Sequence, residues 1–311
     1  MVYIDKVYAH VPKNRMSIQS LQSNLGLKNY QVKLFEKVHG LNQICMDSEH
    51  ELKEMLQIAI HQLMDQNQVE LKQIKYIIFC HTSPLVAPYP HNVLEEVLSS
   101  FELDHALYFS LTQQHCSSGL IAMEVADSLL ASDPNNDDQA LILIGEKAFH
   151  PTCQLIPNTT IMGEASAAVV VGKNGEQDEV LTVHRKIMGK YAAGIQISPA
   201  DAKDFEEKYT STLIETVEEA LHQVDKAKKD VAWIIPHNVN QSSWKQFAKQ
   251  FDFPLSRIYL ENVSRLGHCF GADPFINYQD MVRQNLLQKG DLYLMVSVGL
   301  GATFAVSVMK H

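Results

Sequence analysis

The chain has 311 residues, of which 46% are apolar and 20% are charged, a composition typical of a globular protein with a large core. Its formal net charge of −10 disfavours nucleic-acid binding, which a basic excess usually accompanies. The apolar runs are too short to span a bilayer, and residues 1–5 do not begin a secretory signal, so we expect a cytoplasmic protein that is not membrane-bound.

The cysteines are odd in number, widely spaced and without a C-x-x-C pair. This pattern indicates neither a disulfide framework nor a structural zinc site, and we expect no metal or cofactor. Reduced thiols in a cytosolic enzyme fit the pattern better. The five are Cys45, Cys80, Cys116, Cys153 and Cys269.

In the first part of the chain, short apolar runs alternate with helical periodicities. Residues 12–46 show no clear period. The predicted strands are 3–11, 76–80, 106–111, 140–144 and 166–171, and the predicted helices are 52–63, 92–101 and 117–130.

The second part repeats this alternation, which predicts an α/β fold with largely parallel pairing at the centre of the sheet. Residues 189–204 are expected to form a long loop near a site. The predicted strands are 180–184, 231–236, 258–260, 292–298 and 303–309, and the predicted helices are 205–224, 241–251 and 271–288.

Cys116 falls on a turn between a predicted strand and a predicted helix. Unpaired N–H groups and the positive end of the helix dipole at such a turn favour the thiolate, the nucleophilic form of cysteine. Cys116 is therefore the candidate nucleophile, although a cysteine chosen at random is more often structural.

The two halves of the chain resemble each other. Residues 76–80 parallel 233–237, and His115-Cys116 parallels His268-Cys269. The buried strands 140–144 and 292–298 are a third parallel, and residues 163–168 and 299–304 are a fourth. Four such parallels in one order predict a duplicated α/β unit, with halves at residues 1–173 and 174–311. A pseudo-two-fold axis between the halves would bring Cys116, His237 and His268 together.

With these motifs in hand, the chain resembles the thiolase superfamily, and within it the β-ketoacyl-acyl-carrier-protein synthase III family. The resemblance implies a five-layered αβαβα fold and a homodimer. It also implies that Cys116 accepts the acyl group and that His237 is its acid/base and oxyanion partner. The motifs are the Cys116 turn, Ile-Pro-His-Asn-Val-Asn at 235–240, Asn-Val-Ser-Arg-Leu-Gly-His at 262–268, and Gly-Leu-Gly at 299–301.

The chain departs from the family pattern at three places. His268 stands where the family usually has Asn, and a neutral imidazole can donate an N–H to a developing enolate oxygen much as a carboxamide does. Residues 37–44 lack the Trp and Arg of members that use coenzyme A, which favours an acyl or peptidyl carrier protein as donor. Ser242 stands where many members have a basic residue that docks a carrier protein. Lys245 and Lys249 on the same predicted helix are alternative docking candidates, and a solvated helix face explains these two lysines equally well.

The predicted reaction loads Cys116 from an acyl thioester, with Gly299, Gly301 and Asn238 lining the oxyanion site. Decarboxylative condensation with a malonyl thioester would follow, in fatty-acid, polyketide or specialised metabolism. The alternative is acyl transfer to an amine, a hydroxyl or a carrier-protein thiol. A cysteine hydrolase and a non-catalytic partner subunit are less favoured hypotheses. Asp273 could orient His268, but a position in the first turn of a helix also explains it.

Overall fold

The structure is a computed structural model that describes residues 1–67 and 69–311. No helix in these residues combines the length and the apolarity that a membrane span requires. The strands are β1 (Tyr3–His10), β2 (Arg15–Ser17), β3 (Gln43–Cys45), β4 (Ile74–Cys80), β5 (Leu107–Leu111), β6 (Gln139–Glu146), β7 (Leu155–Ile156), β8 (Thr160–Ile161), β9 (Ala165–Gly172), β10 (Glu179–Ile187), β11 (Val231–Pro236), β12 (Leu292–Gly299) and β13 (Thr303–Lys310). The helices are α1 (Ile18–Leu21), α2 (Asn29–Lys33), α3 (Leu52–Asn67), α4 (Val93–Leu98), α5 (Ser118–Ala131), α6 (Pro151–Gln154), α7 (Pro199–His222), α8 (Gln241–Phe251), α9 (Val263–Leu266) and α10 (Asp273–Arg283).

Nine strands of the described residues form one sheet in the order β11-β12-β13-β10-β1-β9-β6-β4-β5. The arrangement of strands is equivalent on the two sides of the contact between β1 and β10. On one side the order is β1, β9, β6, β4, and on the other it is β10, β13, β12, β11. The strand order therefore expresses the duplication that the sequence predicts.

The pairing directions follow the same symmetry. The pairs β4–β6 and β11–β12 are parallel, and β6–β9 and β12–β13 are antiparallel. A single parallel bridge from Ile234 to Ile258 occupies the place of the β4–β5 pair. The proposed boundary at 173/174 lies between β9 and β10, and we retain the halves 1–173 and 174–311 as a proposal.

The prediction of largely parallel pairing at the centre is wrong. The central strands β13, β10, β1 and β9 pair antiparallel, and the parallel pairs lie toward the two edges. The connection from β12 to β13 spans only three residues, and so short a connection permits only an antiparallel pair.

The core is arranged in five layers, as the resemblance implies. Helices α5 and α10 lie in the middle and pack with strands of both halves in one buried cluster that includes Leu120, Phe275, Ile142 and Met295. Outside the first half, α3 and α4 cover β4 and β6. Outside the second half, α7 and α8 cover β11, β12 and β13. The buried middle layer carries the residues that surround Cys116.

Three predicted segments differ from the observed elements. Residues 12–46 contain the antiparallel pair β2–β3, and two short helices between its strands, rather than an irregular stretch. Residues 258–260 form an isolated bridge and no strand. Helix α7 begins six residues earlier than predicted, because the side chain of Ser198 caps it by accepting the N–H of Asp201.

Candidate active site

Cys116 lies in a single 3-10 turn, His115–Ser117, directly before α5, and is 2% exposed. Two serine hydroxyls fix this turn against the β12–β13 hairpin. Ser297 donates to the carbonyl of Cys116 at 2.7 Å, and Ser117 donates to the carbonyl of Thr303 at 2.9 Å. The strand-to-helix turn predicted from the sequence is therefore held by the opposite half of the chain.

His268 contacts the sulfur of Cys116 across the middle of the molecule. Its Nε2 lies 3.1 Å from Cys116 Sγ, and its Nδ1 lies 2.5 Å from Oδ2 of Asp273. His268 and Asp273 are 1% and 0% exposed. The structure thus arranges Cys116, His268 and Asp273 in a hydrogen-bonded row, and the orienting role that the sequence left open for Asp273 is present as a direct contact.

The row favours a charged imidazole. Burial acts to lower the pKa of His268, but the charges of Cys116 and Asp273 and the hydrogen bonds to both outweigh burial and raise the pKa to about 10. An imidazolium beside the sulfur stabilises negative charge on Cys116. The geometry therefore sets a charged imidazole directly beside the candidate nucleophile.

His237 is the residue after β11 and is fully buried. Its Nδ1 accepts the backbone N–H of Val298 at 3.0 Å, its ring packs against Trp244, and its carbonyl accepts the indole N–H of Trp244 at 3.1 Å. Because a backbone N–H can only donate, the ring proton of neutral His237 is on Nε2. His237 therefore presents a hydrogen-bond donor.

The two histidines differ in charge. Burial and the nearby charge of His268 hold the pKa of His237 well below its ordinary value. The ring centroids of His237 and His268 are 5.9 Å apart, so the two rings lie close enough for this repulsion to act. The site thus combines a neutral donor with a charged group that can release a proton.

Asp273 is anchored by a buried polar network. Besides His268, it accepts the backbone N–H of Cys269 at 2.8 Å and both the backbone and amide N–H of Asn238, at 2.6 and 3.1 Å. Asn277 donates to the side-chain oxygen of Asn238 at 2.9 Å. Asn238 was predicted to line the oxyanion site; its backbone and amide donors instead face Asp273 and support the position of His268.

Two glycines allow close contact between backbone segments at this site. A Cβ on Gly299 would lie 2.3 Å from the carbonyl oxygen of Gln114, so only glycine allows the end of β12 to meet the Cys116 turn. Gly267 precedes His268 with φ +70°, and a Cβ there would lie 2.9 Å from the carbonyl oxygen of Ile161. A side chain at either position would clash with the neighbouring backbone.

The comparisons with known proteins agree with this architecture. Residues 221–311 match the family model of the C-terminal part of 3-oxoacyl-[acyl-carrier-protein] synthase III. The β-ketoacyl-[acyl-carrier-protein] synthase III of Wolbachia pipientis wMel is 23% identical over 88% of both chains. The synthase III of Aquifex aeolicus is 20% identical, and the match covers 63% of this chain and 64% of that relative.

The structure of the acyltransferase ChlB3 superposes with a TM-score of 0.87 at 16% identity, covering 99% of this chain and 97% of that one. The structure of Aquifex aeolicus 3-oxoacyl-[acyl-carrier-protein] synthase III gives a TM-score of 0.83 at 17% identity over the whole of both chains. These likenesses establish the fold.

Residues 221–311 thus match the C-terminal part of the synthase III family, and the whole chain has the fold of the synthase III structures.

The remaining predicted site residues are Gly301, Lys245 and Lys249. Gly301 has φ +107°, and a Cβ on it would lie 3.5 Å from the ring of His115, so it borders the Cys116 turn. Lys245 and Lys249 are exposed on α8, whose N-terminus follows the His237 segment.

Three residues near the site escaped the sequence analysis. Ser297 holds the Cys116 turn, and the hydroxyl of Tyr209 on α7 lies 3.5 Å from Nε2 of His237. Glu146 is the last residue of β6. Burial raises its pKa to about 7, although the hydrogen bonds that it accepts from the backbone N–H groups of Thr82 and Ser83 act to lower this pKa. No motif marks these positions, because each is defined only by contacts between distant segments.

Replacing Asp273 by Asn should slow the alkylation of Cys116 by iodoacetamide at pH 7 by a factor of about 10 or more. The lost charge-assisted hydrogen bond to His268 is worth about 1.5–3 kcal/mol, and about 1.4 kcal/mol corresponds to tenfold. Peptide mass spectrometry gives the rate at Cys116, and the partly exposed Cys153 is the internal control. Equal Cys116 rates in parent and variant would contradict this role of Asp273.

The depressed pKa of His237 predicts acid sensitivity. Folded His237 stays neutral, whereas in the unfolded chain it gains a proton below about pH 6.5, so stability falls as pH falls. Between pH 6.5 and 5, urea unfolding should show a loss that is steeper in the parent than in a His237→Gln variant, by up to about 1.4 kcal/mol per pH unit. Parallel pH profiles of the two proteins would show that His237 is not held neutral.

Proposed function

We propose that this chain is a cysteine-dependent acyltransferase of the β-ketoacyl-acyl-carrier-protein synthase III type. Cys116 takes an acyl group from a thioester and holds it as an acyl-enzyme. The observation that carries the proposal is the 3.1 Å contact of Cys116 Sγ with His268 Nε2, whose other ring nitrogen contacts Asp273. A nucleophile, a base and an orienting carboxylate in one row are the signature of covalent catalysis.

In the first stage, the Cys116 thiolate attacks the thioester carbonyl and a carbon–sulfur bond forms. The donor thiolate leaves and takes the Nε2 proton of His268. The carbonyl oxygen carries negative charge in between, and the Nε2–H of His237 is a donor held ready for it. Backbone N–H groups of the Cys116 turn and of the segment from Gly299 to Gly301 are the further oxyanion donors in this proposal.

The second stage depends on what Asp273 does to His268. Once Cys116 is acylated its negative charge is gone, while Asp273 still accepts the Nδ1 proton of His268. His268 then presents the lone pair of Nε2, which makes it a general base. The geometry therefore best supports transfer to an amine, hydroxyl or thiol: His268 takes the acceptor proton, the acceptor attacks the acyl carbon, and Cys116 leaves as thiolate.

Decarboxylative condensation, which the sequence analysis placed first, is the second candidate. The malonyl carboxylate leaves as carbon dioxide, the resulting enolate attacks the acyl carbon, and Cys116 leaves as thiolate. This step needs hydrogen-bond donors on the enolate oxygen and no base, and neutral His237 with its fixed Nε2–H is such a donor. The names of the synthase III relatives also favour it.

The proposed donor is an acyl or peptidyl carrier protein in the cytoplasm, and the proposed assembly is a homodimer. The sequence of residues 37–44, without Trp or Arg, supports a carrier protein over coenzyme A. Exposed Lys245 and Lys249 on α8 support the same choice, since carrier-protein recognition relies on complementary charge.

Incubation with acyl thioesters of N-acetylcysteamine should add one acyl mass to the parent and none to Cys116→Ala, as measured by intact-protein mass spectrometry. Addition of an amine or thiol should then remove the acyl group from the acyl-enzyme. In a separate assay with a malonyl thioester, the protein should release no carbon dioxide. In His268→Ala both loading and discharge should slow by about 100-fold or more, as for loss of a catalytic base.

Other outcomes separate the candidates. Carbon dioxide release from a malonyl carrier protein at the rate of turnover, lost in His237→Ala, would establish condensation in place of simple acyl transfer. A parent protein that remains unacylated by every thioester while folded would contradict the proposal as a whole.

Reversing the charge at Lys245 and Lys249 by substitution with Glu should raise KM for a carrier-protein thioester about tenfold or more. The kcat/KM for the N-acetylcysteamine thioester should stay unchanged, because that substrate does not contact α8. Glu at the exposed Lys226 and Lys229 is the matched control. An equal effect of both pairs would assign the change to net charge and contradict docking on α8.

A further inference from the structure

Three metal-ligating side chains converge at the end of β1, outside the Cys116 row. His10 is the last residue of β1, and Asp47 and His50 lie in the loop between β3 and α3. Oδ2 of Asp47 is 3.2 Å from Nε2 of His10 and 3.1 Å from Nδ1 of His50. One ligand atom of each residue lies within 4.8 Å of those of the other two.

The two ligand separations at Asp47 fit one small dication. Zn²⁺ binds imidazole nitrogen at about 2.0–2.1 Å and carboxylate oxygen at about 2.0–2.2 Å, which sets neighbouring ligand atoms about 3–3.5 Å apart. The separations of 3.1 and 3.2 Å at Asp47 fall in this range. Two imidazole ligands disfavour Ca²⁺ and Mg²⁺, which take oxygen ligands.

The carboxylate is held in place by its surroundings. Asp47 is buried, and its Oδ1 accepts the backbone N–H groups of Glu49 at 3.1 Å and His50 at 2.9 Å, which leaves Oδ2 toward the two rings. Lys147 donates to the carbonyl of His50 at 2.9 Å and pairs with Glu164 at 3.0 Å. The charge of this lysine is therefore balanced, and the backbone that presents the ligands is fixed.

The rings are open on one side. The side chains of His10 and His50 are 16% and 36% exposed, and both line a surface cleft of about 560 Å³. Water or a ligand can reach a fourth position from this cleft. A metal with three protein ligands and an open position is a familiar arrangement for zinc.

We propose that His10, Asp47 and His50 bind a first-row transition-metal dication, with Zn²⁺ as the preferred ion and an open position toward the cleft. The ion joins the end of β1 to the loop that leads into α3. Hydrogen bonds connect that loop to His268 through residues 163–164. The N–H of Asp47 donates to the carboxylate of Glu164 at 2.9 Å, and the N–H of Gly163 donates to the carbonyl of His268 at 3.0 Å.

The test measures Zn²⁺ and Co²⁺ binding by equilibrium dialysis with elemental analysis, on tag-free, chelator-treated protein. The Cys116→Ala background removes the thiol that could compete for metal. We expect one equivalent per chain, a cobalt spectrum with visible absorption, and a higher Tm with added Zn²⁺. His10→Gln and His50→Gln should each weaken binding by about 100-fold or more, beyond the range for second-shell partners.

The matched control is His91→Gln. His91 also contacts a carboxylate, with Nδ1 3.1 Å from Oε1 of Glu96, and the pair is exposed and belongs to no three-residue metal cluster of the described chain. This variant should bind metal like the parent. Circular dichroism verifies that each variant is folded. Less than 0.1 equivalent bound by the parent, or equal affinity in the parent and the double variant His10→Gln/His50→Gln, would overturn the proposal.

Discussion

The site depends on the buried hydrogen bond between Asp273 and His268, whose other ring nitrogen contacts the sulfur of Cys116. Two titratable groups with almost no exposure are costly to bury unless each is paired and hydrogen-bonded. Here Asp273 accepts donors from His268, Cys269 and Asn238, and His268 uses both ring nitrogens. The polar network around them, rather than any one residue, keeps charge stable inside an apolar middle layer.

The duplicated fold explains how such a site is assembled. Each half ends a buried strand and begins a helix at equivalent places, and the symmetry of the sheet sets the Cys116 turn opposite the His268 segment. The two halves contribute different groups, with Cys116 from the first half and both histidines from the second. One histidine is neutral and donates from Nε2, and the other is charged by its carboxylate neighbour. Two histidines of one site thereby carry unequal charge, as acid–base chemistry requires.

Much of the fold could be predicted because its signals are local. Apolar runs such as 76–80 and 292–298 predicted buried strands at the right places, and the paired His-Cys motifs predicted the duplication. The antiparallel centre could not be predicted, since apolar runs identify strands without stating their neighbours. The early start of α7 was missed because the cap at Ser198 looked like loop sequence.

For the site, the sequence by itself determined the candidate residues Cys116, His237 and His268, because their motifs carry position and type together. Only the tertiary structure decided the charge states of the two histidines. The backbone N–H of Val298 fixes the tautomer of His237, and Asp273 governs the proton of His268, and both effects act through contacts between segments far apart in the chain. A proton's position depends on the field of the surrounding groups within a few ångströms, which sequence order does not record.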